Sequence, residues 1–150
     1  PQVYYGTEVL LENSAKPGDH GLIRTDFPGG WEGDKANAFT GAGLSADQQR
    51  IQAYLKKLLN WRKDKKVIHD GSTLHFAPSN GTYVYFRYNK QEKVMVVLNK
   101  NNKEAQLSAG RFSEILKGHQ QAVNVLTGEQ VSLQRNITLP ARSATVWEIR

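Results

Sequence analysis

The chain has 150 residues, enough for one ordinary domain or a small domain with an appendage, and at that size it can bury roughly 70% of the surface its unfolded form exposes. Hydrophobic residues make up 39% and charged residues 23%, the balance of a soluble globular protein, with no apolar run of about 18 residues to span a membrane. Cysteine is absent, which excludes disulfides and thiolate metal sites, and the four histidines (His20, His69, His75, His119) lack any paired-ligand spacing, so neither a metal nor another cofactor is expected. The net charge of +6 raises nucleic acid as a partner. Its only dense cluster, "WRKDKK" at 61–66, follows a helical pattern, where cations are favoured by the helix dipole. No nucleic-acid-binding motif accompanies it, so neither nucleic acid nor a membrane is expected as a partner.

The first stretch, "PQVYYGTEVLL", alternates like a strand but has no start signal before it, and no basic segment followed by an apolar one opens the chain. It reads as the middle of a structure. A Gly- and Pro-rich stretch follows to residue 44 without helical or strand period, and its Phe27, Trp31 and Phe39 argue against a disordered linker. Its acidic residues Asp19, Asp26, Glu32 and Asp34 are read as turn-formers, since Asp side chains hydrogen-bond nearby backbone.

A helix is predicted over 45–63. Ser45 and Gln48 fit a capping box, and Ile51, Tyr54, Leu55, Leu58 and Leu59 recur at helical spacing, with Trp61 one turn beyond Leu58. That apolar face must dock on something, so self-association through the helix 45–63 face is an expectation.

From Val67 the period changes to two. "TLHFAP", the turn dipeptide Asn80-Gly81 and "TYVYFRY" predict a hairpin. "KVMVVLN" reads as a central strand and "AQLSAGRFSEIL" as a weaker element. "AVNVL", Thr127-Gly128-Glu129 and "QVSL" predict a second hairpin, and "NITL" and "SATVWEI" close the chain. About seven short strands with frequent turns predict a mainly β fold, an antiparallel sandwich or barrel. Asn80-Gly81-Thr82 and Asn136-Ile137-Thr138 match the glycosylation sequon and are read as turn or strand residues.

These motifs, in this order, resemble the α-amylase family of glycoside hydrolases. "PQVYYGTE" is similar to the segment at the eighth barrel strand. "RTDFPGGWEGDKANAFTG" followed by "LSADQQ" and "YLKKLLNWRK" resembles the neopullulanase and cyclomaltodextrinase branch, and "LPARSATVWEI" resembles the last strands of that family's C-terminal β-sandwich. The resemblance implies that residues 1–63 are the last strand, loop and helix of a (β/α)8 barrel and 67–150 an accessory antiparallel β-sandwich. It further implies a parent enzyme that hydrolyses α-glucosidic bonds of maltodextrins (starch), pullulan or cyclodextrins with retention, in the periplasm or cytoplasm, the periplasm being favoured.

Retaining chemistry needs two carboxyls about 5–5.5 Å apart. The resemblance places the family's nucleophile, acid/base and stabilising Asp upstream of Pro1, and no "NHD" motif is present, so no catalytic residue is nominated and the chain alone is expected to be inactive. The family's loop after strand eight borders the cleft and in some members carries an Asp-x3-Arg pair on a glucose unit. The nearest equivalents are Asp19 and Arg24, spaced by one residue more, with "FPGGW" in place of Arg-Pro-Met-x-Trp. Asp19, Arg24 and Trp31 are therefore the candidate substrate-binding residues, a carboxylate and a guanidinium suiting sugar hydroxyls and the indole a pyranose face. The competing reading makes them a loop salt bridge and a packed aromatic. Tyr4, Tyr5 and Glu8 are expected to pack in the barrel, and Gly6 to permit a close approach or unusual turn. Two other functions are carried alongside: a carbohydrate-binding module presenting Tyr83, Tyr85, Tyr88 and Trp147, and a purely structural or interaction domain.

Overall fold

A computed structural model of the chain describes residues 2–12, 18–21 and 23–150. Pro1, Asn13 to Pro17 and Leu22, part of the opening stretch and of the loop read above, lie outside the described residues. The chain forms two compact units, Pro1–Leu59 and Asn60–Arg150.

The second unit contains eight strands among its described residues. They are β1 (Ser72–Ser79), β2 (Thr82–Tyr88), β3 (Lys93–Asn99), β4 (Ala105–Ser108), β5 (Gln121–Asn124), β6 (Gln130–Ser132), β7 (Asn136–Leu139) and β8 (Ser143–Ile149). One sheet has the order β1-β2-β3-β8-β5-β6 and the other pairs β4 with β7, with every pairing antiparallel. The chain leaves the large sheet after β3, lays β4 in the small one, and adds β5 and β6. It then returns to the small sheet as β7 and threads β8 between β3 and β5.

The first hairpin closes through Asn80 and Gly81, at φ 50° and 72°, the two left-handed residues a tight hairpin turn requires. Asn99, almost fully buried, ties the neighbouring turns together. Its Nδ2 donates to Pro140 O at 2.8 Å, and its Oδ1 accepts from Asn101, whose Nδ2 also donates to Asn80 O at 2.9 Å. A buried amide satisfied on both sides stabilises; the same amide orphaned would destabilise.

The core follows from the period-two alternation. Val84, Phe86, Met95, Val97, Trp147 and Ile149 face inward from the large sheet, against Leu107, Ile137 and Leu139 of the small one. Phe76, Phe86 and Phe112 meet with ring centroids 4.8 to 5.9 Å apart. "AGRFSEIL", expected as part of a weak element after β4, instead forms a 3₁₀ turn (Ala109–Phe112) and the short helix Ser113–Leu116. Phe112, Ile115 and Leu116, at i, i+3 and i+4, turn one helical face into the core.

The opposite face of the large sheet carries Tyr85, Val94, Val96 and Val146. Trp61, Val67 and Ile68 cover them, the last two from a short helix, Lys66–His69, in a stretch expected to start the strand pattern. At this edge Glu148 Oε1 accepts from Trp61 Nε1 at 2.6 Å and pairs with Lys65 Nζ at 2.6 Å. Burial pushes the Glu148 carboxyl up, but the hydrogen bonds from Lys65 and Trp61, with the charges of Lys65 and Arg150, outweigh it and hold the group below its ordinary value. Lys65 is raised, chiefly by the hydrogen bond it donates to Glu148 and against its own burial.

The same alternation separates the four aromatics of the binding-platform reading. Trp147 is buried in the core and Tyr88 packs against it, whereas Tyr83 and Tyr85 share the other face. Burial raises the Tyr85 phenol, Tyr83 adds to the shift and Arg87 opposes it. A single platform of all four does not form.

Candidate functional site

The candidate site lies in the first unit. Residues 2 to 5 form no strand, because no strand lies beside them among the described residues, and a strand needs a partner for its backbone groups. Gly6 turns the chain at φ 83°, where a Cβ would come 2.5 Å from Leu11 Cβ, so a close approach does require glycine. A 3₁₀ turn, Thr7–Val9, follows and buries Val9 completely. Tyr4 and Tyr5, expected to pack in the barrel of a longer parent, stand 61% and 40% exposed in this chain with their rings 4.8 Å apart. Tyr5 Oη donates to Thr25 O at 3.2 Å, and Thr25 Oγ1 to Glu12 O at 3.1 Å, fastening the loop to the opening stretch. Glu8 is half-buried, and its Oε2 is sealed from solvent without a hydrogen bond.

The loop is built around two side chains. Asp34 Oδ2 accepts from Gly29 N at 2.8 Å and Trp31 N at 3.1 Å, and Asn37 Oδ1 accepts from Phe39 N at 2.9 Å and Thr40 N at 3.0 Å. Asp34 is thus a turn-former, as its setting among glycines implied. Ala38 N donates to Pro28 O at 3.0 Å and closes the loop across its base. A small core of Val9, Ala38 and Leu44, with Leu11, Phe27 and Ala36 against it, lies beneath.

At the loop's end the capping box forms in both directions. Ser45 N donates to Gln48 Oε1 at 2.9 Å, and Gln48 N to Ser45 Oγ at 3.3 Å, starting helix α1 (Ala46–Lys63). No residue of α1 is buried: Ile51, Leu55 and Leu58 are half-buried, and Tyr54 and Leu59 exposed.

The three nominated residues are displayed by this frame. Asp19 is half-buried, and its carbonyl accepts from Ile23 N at 3.1 Å. Arg24 is exposed at the end of that turn. Trp31 is 68% exposed and therefore does not pack beneath the loop. Phe39, not nominated from the sequence, is 77% exposed with its ring 5.6 Å from that of Phe27. The sequence signal was present in the loop's aromatic content, but nothing local distinguishes a displayed ring from a buried one. Among the described residues no group of acidic or histidine side chains is arranged to hold a metal. Nor is any helix long and apolar enough to cross a membrane.

Fold and connectivity define an antiparallel β-sandwich of the amylase C-terminal domain type. Residues 73–148 match the cyclomaltodextrinase C-terminal domain, and the chain belongs to that family. Among solved structures it resembles the Anoxybacillus α-amylase, with 20% identity and a TM-score of 0.64 over 97% of this chain and 28% of that one. The Geobacillus thermoleovorans α-amylase complexed with acarbose gives 18%, with a TM-score of 0.64 over 98% and 29% of the two chains. AmyP complexed with maltotriose gives 16%, with a TM-score of 0.61 over 73% and 22%. At these identities the likeness is one of fold, and the chain spans less than a third of the length of each of these proteins.

Proposed function

We propose that this chain is the C-terminal part of a retaining α-glycoside hydrolase acting on maltodextrins, pullulan or cyclodextrins. In this reading residues 1–63 end its (β/α)8 barrel, and residues 67–150 are a structural sandwich that takes no part in the chemistry. The observation that carries the reading is the extent of the fold likeness. It runs over 97 to 98% of this chain in two α-amylases, and so includes the loop and helix α1 as well as the sandwich. The acarbose and maltotriose bound by the similar proteins support an α-glucan as the substrate of the parent.

The chain alone lacks the means for hydrolysis. Several strands contribute to the cleft at the C-terminal face of such a barrel, and one strand–loop–helix unit cannot build it. Its own part is to border the cleft: Arg24 and Asp19 offer donors and an acceptor to sugar hydroxyls, and Trp31 an apolar face to a pyranose ring. The helix face left unburied by Ile51, Tyr54, Leu55, Leu58 and Leu59 gives the chain, when isolated, a route to self-association.

The test is release of reducing sugar from pullulan and maltodextrin, by the full-length enzyme and by the 150-residue chain. Turnover by the first and none by the second is expected. Turnover by the chain alone would remove the claim that its chemistry lies elsewhere, and a full-length protein inert on every α-glucan would remove the hydrolase reading.

A further inference from the structure

The displayed ring of Phe39 stands over a groove that the cleft-bordering residues do not use. Ala38, Phe39, Gln49, Gln52, Ala53 and Lys56 line it, enclosing about 340 Å³. The four helical residues recur at i, i+3, i+4 and i+7, so they form one stripe of α1, offset from the leucine face. The bonds of Asn37 Oδ1 to Phe39 N and Thr40 N, and of Ala38 N to Pro28 O, fix the loop wall that carries the ring.

The polar lining is fixed as well. Gln52 Nε2 donates to Ala38 O at 2.7 Å, and Gln49 Nε2 to Leu44 O at 3.0 Å. Each amide nitrogen spends one of its two N–H donors on backbone, which orients the group, and no hydrogen bond to either Oε1 is found among the described residues. The groove therefore offers an aromatic face, two oriented amides that each keep an acceptor oxygen and one N–H, and the ammonium of Lys56 as a further donor. An apolar protein surface seated on Phe39 would cover those two acceptors with nothing to donate to them, which is costly. A chain rich in hydroxyls supplies donors to both, accepts from Lys56, and lays the C–H face of a sugar ring on Phe39.

We infer that this groove is a second α-glucan contact, separate from Asp19, Arg24 and Trp31, which holds a neutral glucan chain without cleaving it. The choice of α-glucan rests on the function proposed above; the groove and its chemistry do not. Phe39 supplies the stacking surface, and Gln49, Gln52 and Lys56 the hydroxyl contacts. Such a contact keeps a polymer on the enzyme between cleavage events.

The test is native affinity electrophoresis of the 150-residue chain through gels with and without amylopectin, with dextran as the control polysaccharide. The wild-type chain is expected to be retarded by amylopectin and not by dextran. Phe39→Ala should run as though no glucan were present, Phe39→Tyr should keep most of the retardation, and Lys56→Ala should weaken it several-fold. Far-ultraviolet circular dichroism of each variant establishes that the fold is kept. A wild-type chain that is not retarded overturns the inference, as does a Phe39→Ala chain retarded like the wild type. So does a Phe39-dependent dimer in sedimentation without glucan retardation, which would assign the groove to a second copy. None of these results touches hydrolysis by the full-length enzyme, so failure here and failure of the hydrolase reading are told apart.

Discussion

The two units reach a defined structure by different means. In Asn60–Arg150 two sheets close over one continuous core, and the large side chains Phe86, Phe112, Met95 and Leu139 are less than 2% exposed. Among the described residues of Pro1–Leu59 the buried apolar residues are Val9, Ala38 and Leu44, while Trp31 and Phe39 stand open to solvent. Asp34 and Asn37, each accepting from two backbone amides, give that unit much of its definition. The sandwich is held by burial, whose free energy scales with apolar area. The loop is held by hydrogen bonds whose net worth is about 1 kcal/mol each, since water competes for the same groups. In the function proposed above, the rings kept out of a core are the ones available to a ligand, and side chains spent on turns keep them in place.

The largest contrast should come from truncating one core residue in each unit. Phe86→Ala is expected to cost about 3–5 kcal/mol, because it removes a ring from the junction with Phe76 and Phe112 and leaves a cavity. Val9→Ala removes two carbons at about 0.8 kcal/mol each and should cost about 1.5 kcal/mol. Urea denaturation of both variants measures the two losses, and a Val9 variant as unstable as the Phe86 variant would show that the small core matters more than its size indicates.

Next in size is the cluster at the edge of the sandwich. Glu148→Gln leaves Lys65 without its nearest carboxylate and should cost about 1–3 kcal/mol. Its pH dependence has a defined sign. The Glu148 value is depressed on folding, so its contribution is complete above the unfolded carboxylate value and is lost as pH falls through the lower folded one. Lys65 is raised on folding, so its contribution is complete below the unfolded lysine value of 10.5 and is lost as pH rises through the higher folded one. Urea midpoints measured across pH should show a plateau between these limits, with the acid-side fall reduced in Glu148→Gln. An unchanged acid limb would assign that fall to other carboxylates.

The smallest effect sharpens the account of the loop. Asp34→Ala removes two exposed hydrogen bonds and should lower global stability by about 1 kcal/mol or less. Amide exchange at Gly29 and Trp31 should nevertheless accelerate at least several-fold, while exchange in β3 and β8 stays as it was. Equal acceleration in the sandwich would mean that the two units open together.

Much of this organisation was legible in the sequence, where the signal was local. The capping box at Ser45 and Gln48 formed as read, Asn80-Gly81 made its hairpin, and the strands from "TLHFAP" to "SATVWEI" stand near their expected places. Each of these depends on residues within a few positions of one another, so spacing alone specifies them. The misreadings had local causes too. "RFSEIL" carries a short helical period that a strand pattern on both sides obscured, and the four-residue helix Lys66–His69 is too short to show a period of its own.

Tertiary structure decided what depends on residues far apart. It threaded β8 between β3 and β5, and sent β4 and β7 to a separate sheet. It turned Trp147 inward and Tyr83 and Tyr85 to the other face, since a strand's alternation says which residues share a side and only its neighbours say which side is the core. It brought Trp61 onto Glu148, 87 positions away, and lined one groove with Phe39 and a stripe of α1. By itself the sequence determined the elements, the turns and the resemblance to a family. Which rings were buried and which displayed was decided when the chain closed on itself, because burial is a property of the neighbours that non-local packing supplies.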